Sequence, residues 1–312
     1  MGIAIDSLLL VLLFGVLGFT ADLAVRNIKY ITTALKLKLF SLGILLGIVT
    51  SLPELSVGIN TTAENVASLS VGNIMGGIIV IFGLILGVSL LFDNKVSTKG
   101  SLKSLVPSVL VMLSPILLGL DGKYLLWDGL VMISLYVGLL LYLYLINHSF
   151  EGLQTAFLHK KRVEKAIFLS IVGIVIVVLS SHFIVDITVD LLENTSINKL
   201  FIGVIVFSIG TNLPEIIVTF TSWRRKTSGL SLSHLVSSAF TNILVLGILA
   251  IIQPITFTLG PTFYSLAVFI VLILSIFIFS SYSGGGLSRK EGFVLLTAYV
   301  LFLAANIFLS SL

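Results

Sequence analysis

Ten runs of apolar residues, at roughly 3 to 25, 39 to 60, 67 to 92, 104 to 120, 124 to 147, 166 to 192, 200 to 223, 229 to 253, 263 to 282 and 292 to 312, leave this chain little choice of fold. Each approaches the ~20 residues with which a helix crosses a bilayer. Inside hydrocarbon no water can satisfy backbone N–H and C=O groups, so each run must make its hydrogen bonds within itself. The composition agrees, with 57% hydrophobic and 10% charged residues and a mean hydropathy of +1.18, outside the balance of soluble domains. The expected class is an all-α integral membrane protein with lipid as its solvent.

The chain has no cysteine, which removes disulfides, thiolate metal sites and cysteine nucleophiles. A sequence pI near 9.2 does not point to nucleic acid, because the basic residues sit in short connections between apolar runs. Numbered by the run they follow, the odd connections carry nearly all of them, for example Arg26 and Lys29, Lys99 and Lys103, Lys161 and Arg162, Arg224 and Arg225, Arg289 and Lys290. Only Lys123 and Lys199 fall in even ones. This asymmetry places the odd connections in the cytoplasm and both termini outside a multi-pass cell-membrane protein. Met1-Gly2-Ile3, followed by Asp6 and no basic residue, reads as the start of a first membrane helix rather than a cleaved signal.

The polar stretch 148–165, expected as a cytoplasmic loop, separates residues 1–147 from residues 166–312, with five runs in each half. Because five is odd, two homologous halves enter the membrane in opposite orientations, giving ten transmembrane helices as two inverted five-helix repeats. An offset of 161 positions brings the halves into register: Thr50 falls on Thr211, Pro53 on Pro214, Glu54 on Glu215, Val57 on Val218 and Ser70 on Ser231.

The repeated segments are Thr50-Ser51-Leu52-Pro53-Glu54 and Thr211-Asn212-Leu213-Pro214-Glu215. A carboxylate beside a proline is costly at membrane depth, and its recurrence at matched positions marks function rather than packing. Each proline loosens the helical turn before it, near Val49 and Gly210, and exposes carbonyl oxygens. Thr50 and Glu54, like Thr211 and Glu215, are four residues apart and share a helical face, so hydroxyl, carboxylate and carbonyl oxygens can converge. Such oxygen ligands suit hard cations, Na⁺ or Ca²⁺, better than transition metals. No Lys or Arg lies in the middle of an apolar run, so two approaching glutamates need a mobile partner: protons, one divalent cation or two monovalent ones. Competition among these occupants leads to exchange. One turn apart on the next run of each half lie Asn73, Gly77 and Ile81, and His234, Ser238 and Asn242. Ser237, Ser238 and Asn242 are the better ligand candidates here, with Asn73 also in the candidate set, Gly72, Gly76, Gly77 and Gly83 are read as helix-packing residues, and His234 as an interfacial histidine.

Together, the two Pro-Glu motifs and the small-residue helices after them resemble the paired repeats of the calcium/cation antiporter superfamily, closest to its prokaryotic sodium/calcium exchangers. The resemblance implies alternating access, produced by the first and sixth helices sliding against the rest. It implies Glu54 and Glu215 as the metal-binding carboxylates, with Thr50, Ser51, Thr211, Asn212 and Ser238 adding oxygens. The transported ions would be Ca²⁺ and Na⁺ or H⁺, with membrane lipid and small cations as the partners, and no cofactor, nucleic acid or enzymatic activity. Gly72 and Asn73 match the family pattern, whereas Gly77 stands for a serine, Ile81 for a polar residue, Ser233 and His234 for glycine-asparagine, and Asn242 where an acid is common. These departures keep two further readings open: proton-coupled exchange of another divalent cation, and a cation-binding membrane protein that no longer transports.

Overall fold

The computed structural model describes residues 3–34, 48, 50–92, 96–98, 102–146, 160–193, 199–224, 228–283 and 286–310. Its helices in chain order are α1 (Ile3–Ala34), α2 (Leu52–Ala63), α3 (Ser68–Leu91), α4 (Leu102–Leu118), α5 (Leu126–Ile146), α6 (Lys160–Glu193), α7 (Lys199–Thr211), α8 (Leu213–Arg224), α9 (Ser228–Ile252), α10 (Pro261–Ser283) and α11 (Arg289–Ser310). Among the described residues, seven of these are long and apolar enough to cross a membrane, while α4 and α7 are shorter apolar helices. The molecule is a mostly helical membrane protein. Of the expected second span, residues 39–47 and Val49 lie outside the described residues.

Three boundaries differ from expectation. Helix α6 starts at Lys160 rather than 166. The charged residues at its start are good helix formers without Pro or Gly, so the helix continues past the point where hydropathy falls; residues 148–159 of the expected loop lie outside the described residues. Helix α4 breaks at Leu113, because Pro115 has no N–H for the preceding turn. The hydroxyl of Ser114 donates to the Val111 carbonyl instead, at 2.7 Å. The seventh expected span is divided at Asn212 into α7 and α8.

Helices α3 and α9 are the most enclosed of the long helices. Their apolar side chains, among them Ile74, Ile78, Phe82, Leu235, Ile243 and Leu246, form the centre of the main core. Helices α1 and α6 pack along each other, and Leu8, Val11, Phe19, Phe168, Ile171 and Val175 face outward from them, as lipid-facing side chains do. Four two-residue strands join the connections: β1 (Val96–Ser97) pairs antiparallel with β4 (Gly286–Leu287), and β2 (Lys123–Tyr124) with β3 (Ile255–Thr256). Since β1 and β2 flank α4 and β4 and β3 flank α10, these helices are clipped together, antiparallel, at both ends.

Glycines set the closest helix approaches. A Cβ on Gly129 of α5 would stand 2.6 Å from the Gly247 carbonyl oxygen of α9, and one on Gly292 of α11 would stand 2.9 Å from the Gly87 carbonyl oxygen of α3. In membranes, where apolar side chains gain nothing by leaving lipid, such small-residue contacts hold helices together.

Candidate cation site

The two repeated motifs adopt the same local structure. Ser51 (φ −89°, ψ 9°) and Asn212 (φ −84°, ψ 10°) each sit at a break between helical segments, in the sparsely allowed region where many active-site residues are found. Contrary to the expectation from sequence, the prolines therefore do not kink a continuous helix. Pro53 and Pro214 occupy the first turn of the new helices α2 and α8, where a missing N–H interrupts no ladder. The ladders restart with Leu55 N–H to the Ser51 carbonyl (3.0 Å) and Ile216 N–H to the Asn212 carbonyl (3.1 Å). Both glutamates consequently lie in the first turn of a helix, where the unpaired N–H groups and the helix dipole favour negative charge.

Of the candidates named from the sequence, Thr50, Ser51, Glu54, Asn73, Thr211, Asn212, Glu215, Ser238 and Asn242 are buried, whereas Ser237 is only half-buried. Glu54 is 1% exposed and Glu215 0%. The two carboxylates are close enough to repel each other, and among the described residues neither has an ion-pair partner. The Ser238 hydroxyl of α9 donates to Glu215 Oε1 at 2.8 Å. The threonines reach across: the Thr50 hydroxyl bears on Glu215 and that of Thr211 on Glu54. The same-face pairing expected within each motif is thus replaced by contact between motifs, because the helix breaks between threonine and glutamate. Although Thr211 lies beside Glu54, its hydroxyl directs its proton to Asn73 Oδ1 (2.9 Å) and the Phe207 carbonyl (3.1 Å).

Both oxygens of Glu54, together with Glu215 Oε2, Ser51 Oγ, Asn212 Oδ1 and Asn242 Oδ1, are buried and take no hydrogen bond from the protein. Buried polar atoms are nearly always paired, so this gathering of carboxylate, hydroxyl and amide oxygens is suited to a hard cation. Imidazole and thiolate take no part, and among the described residues no three His, Asp or Glu side chains cluster, which disfavours a transition metal.

Gly72, Gly76 and Gly83 pack against neighbouring helices as expected, but Gly77 faces the site. A Cβ there would stand 3.1 Å from Asn212 Nδ2 and 3.2 Å from Asn242 Nδ2. The signal was present in the repeat, since the offset of 161 places Gly77 on Ser238. Ile81, at the register position of Asn242, is fully buried in the apolar core. His234 is only half-buried. Sequence reasoning also missed Ser208, whose carbonyl accepts from Asn212 Nδ2 at 2.8 Å and so turns Asn212 Oδ1 away from its own helix. If this is a cation site, replacing Ser238 with Ala is expected to raise the cation concentration for half-maximal binding about 10- to 150-fold, since a hydrogen bond to a charged group contributes ~1.5–3 kcal/mol; titration of the purified protein measures it.

The profile of the sodium/calcium exchanger protein family matches residues 6–145 and 165–308. The sodium/calcium exchanger MaX1 of Methanosarcina acetivorans is 25% identical over 344 aligned positions, covering 95% of this chain and 96% of the relative. The inner membrane protein YrbG of Escherichia coli is 35% identical over 136 residues, 43% of this chain and 41% of the relative. The fold is shared with solved exchangers. The sodium-calcium exchanger NCX_Mj superposes with a TM-score of 0.68 at 21% identity, covering 97% of this chain and 99% of that one. The H⁺/Ca²⁺ exchanger CAX superposes with a TM-score of 0.79 at 16% identity, covering 98% and 85%. With both halves matched by the family profile and this fold around two buried glutamates, the chain belongs to the sodium/calcium exchanger protein family, a group of ion-exchanging transporters in the calcium/cation antiporter superfamily.

Proposed function

We propose that the protein is a secondary antiporter that moves Ca²⁺ against Na⁺ or H⁺, with Glu54 and Glu215 as the carboxylates of one central site reached alternately from the two sides of the membrane. The observation that carries this is the set of unpaired buried oxygens brought together by the two motifs. Thr50, Ser51, Thr211, Asn212, Ser238, Asn242 and Asn73 complete the site. A buried carboxylate pair without a fixed cation is stable only with a mobile positive partner, and a site that must always be neutralised exchanges one occupant for another.

The frame for alternating access is ten spans in two inverted halves, 1–147 and 166–312, with 148–165 between them on the cytoplasmic side and both termini outside. Three internal likenesses support it. The motifs break identically at Ser51 and Asn212. Exchanging the halves converts the β1–β4 ribbon into the β2–β3 ribbon. The same exchange turns the Gly129–Gly247 contact into that of Gly292 with Gly87. The paired α1 and α6, with lipid-facing outer surfaces, are the elements free to slide.

A second reading, coupling to H⁺ and a divalent cation other than Ca²⁺, is favoured by Gly77 and Ile81, which supply no oxygen where Ser238 and Asn242 supply them. In proteoliposomes, Ca²⁺ uptake is expected under an imposed Na⁺ or pH gradient, with Mn²⁺ and Mg²⁺ as competitors identifying the preferred cargo. Calcium binding without flux under any gradient would sink the antiport reading.

A further inference from the structure

Away from the cation site, helix α6 meets α2 through a buried polar cluster. Ser181 of α6 and Ser56 of α2 are both buried, and their hydroxyl oxygens lie 2.5 Å apart. The Ser181 hydroxyl donates its own proton along its helix, to the Val178 carbonyl at 2.8 Å, so the proton between the two serines comes from Ser56. Asn60, one turn further along α2, divides its amide protons between the Ser56 carbonyl at 2.9 Å and Ser181 Oγ at 3.0 Å. Every polar hydrogen of these three side chains has an acceptor, and two of the bonds cross from α2 to α6. The other half is built differently. The offset of 161 places Ile217 of α8 on Ser56, and an isoleucine side chain neither donates nor accepts. Helix α1 packs on α8 with Gly18 against Leu213, where an added Cβ would stand 2.6 Å from the Leu213 Cβ. The hydroxyl of Thr20 on α1 turns back to its own helix, to the Val16 and Leu17 carbonyls at 2.8 and 3.2 Å.

We infer that Ser56, Asn60 and Ser181 form a one-sided latch that ties the sliding pair α1 and α6 to the body of the protein and makes the two end states of the transport cycle unequal. This rests on the alternating-access reading above. In a protein of two inverted halves, the opposite-facing state arises when each half takes up the arrangement of the other. Halves alike at every contact would give two states of equal energy. Here, sliding α6 along α2 breaks two hydrogen bonds between buried groups, which is costly where no water can replace them. Nothing at Ile217 lets α1 recover them on the other side. The arrangement with α6 latched is therefore the favoured one when the site is empty. An ion that enters from the side opened by the other arrangement binds a minor state, and its apparent affinity falls in proportion to that state's population.

The test uses the full-length protein, which has no cysteine of its own. Spin labels at Val175→Cys on α6 and Val268→Cys on α10, both exposed side chains, report the distance between the two helices by double electron–electron resonance in Ca²⁺-free proteoliposomes. Two distances are expected, one for each end state. Ser181→Ala is expected to lower the population at the distance of the latched arrangement, relative to the other, by about 3- to 10-fold, the factor for two hydrogen bonds between helices in a membrane. Ser56→Ala leaves Ser181 its bonds to Val178 and Asn60 and is expected to move the ratio the same way by about 2- to 3-fold; it replaces the first variant should that one not fold. A loss of packing alone would lower the yield of folded protein without moving the ratio. A ratio unmoved in a folded variant, or a single distance in parent and variant alike, overturns the latch, and gradient-driven Ca²⁺ uptake by the same vesicles shows that antiport stands. Absence of any gradient-driven flux in the parent protein overturns both.

Discussion

Glu54→Gln and Glu215→Gln are each expected to reduce gradient-driven Ca²⁺ uptake by about 100-fold or more, to the level of protein-free vesicles. Glutamine keeps the volume and one oxygen but removes the charge. A divalent ion would then sit against a single carboxylate, and leaving one charge of a buried pair uncompensated costs about 3–5 kcal/mol, or roughly two to four orders of magnitude in occupancy. The same substitutions are not expected to destabilise the cation-free protein. Both glutamates are buried side by side, and neutralising one relieves their repulsion. Thermal unfolding in detergent should therefore start from an unchanged or higher melting temperature without Ca²⁺, and the upward shift produced by Ca²⁺ in the parent protein should vanish. A variant that unfolds early would assign the glutamates to structure; one that transports normally would remove them from the site.

The second large effect is expected at Gly72 and Gly203. Here α3 and α7 approach so closely that a Cβ on Gly72 would stand 2.3 Å from the Leu200 carbonyl oxygen, and one on Gly203 would stand 2.2 Å from the Leu69 carbonyl oxygen. The obstructing atoms are backbone, so no rotamer change can relieve the clash and the helices must separate. Gly72→Ala or Gly203→Ala is expected to cost about 2 kcal/mol or more, as overpacking of a tight core does. It should also depress transport, because the Thr211–Asn73 hydrogen bond spans the same two helices. Gly15→Ala and Gly138→Ala, with nothing within 4 Å of the added carbon, provide the control and should be neutral or slightly stabilising, since alanine is the better helix former. Melting temperature and initial uptake rate, measured together, check both halves of the prediction.

These contacts mark the boundary of what the sequence discloses. The membrane class was legible in the apolar runs, because a backbone in lipid has few options. The candidate site was legible because polar residues at membrane depth are expensive: of the ten candidates picked out, all but Ser237 prove buried, and the two motifs meet. The spacing of four between Thr50 and Glu54 was misleading, since it presumes an unbroken helix, and the break at Ser51 and Asn212 turns each threonine toward the opposite glutamate. Gly77 was read as packing, like Gly72 and Gly76, because a residue without a side chain carries no mark of what it faces.

By itself, then, the sequence determined that the chain lives in lipid, that one Pro-Glu motif recurs 161 positions on, and that two glutamates with no fixed counter-charge are its costly residues. These follow from solvation, which acts on each residue wherever its neighbours lie. Only the tertiary structure decided which oxygens stay unpaired, that Asn212 and Asn242 close over Gly77, and that each threonine lies beside the other motif's glutamate. Those properties depend on which helix stands opposite, and the periodicity of a helix records its own apolar and polar faces, not the identity of its partner.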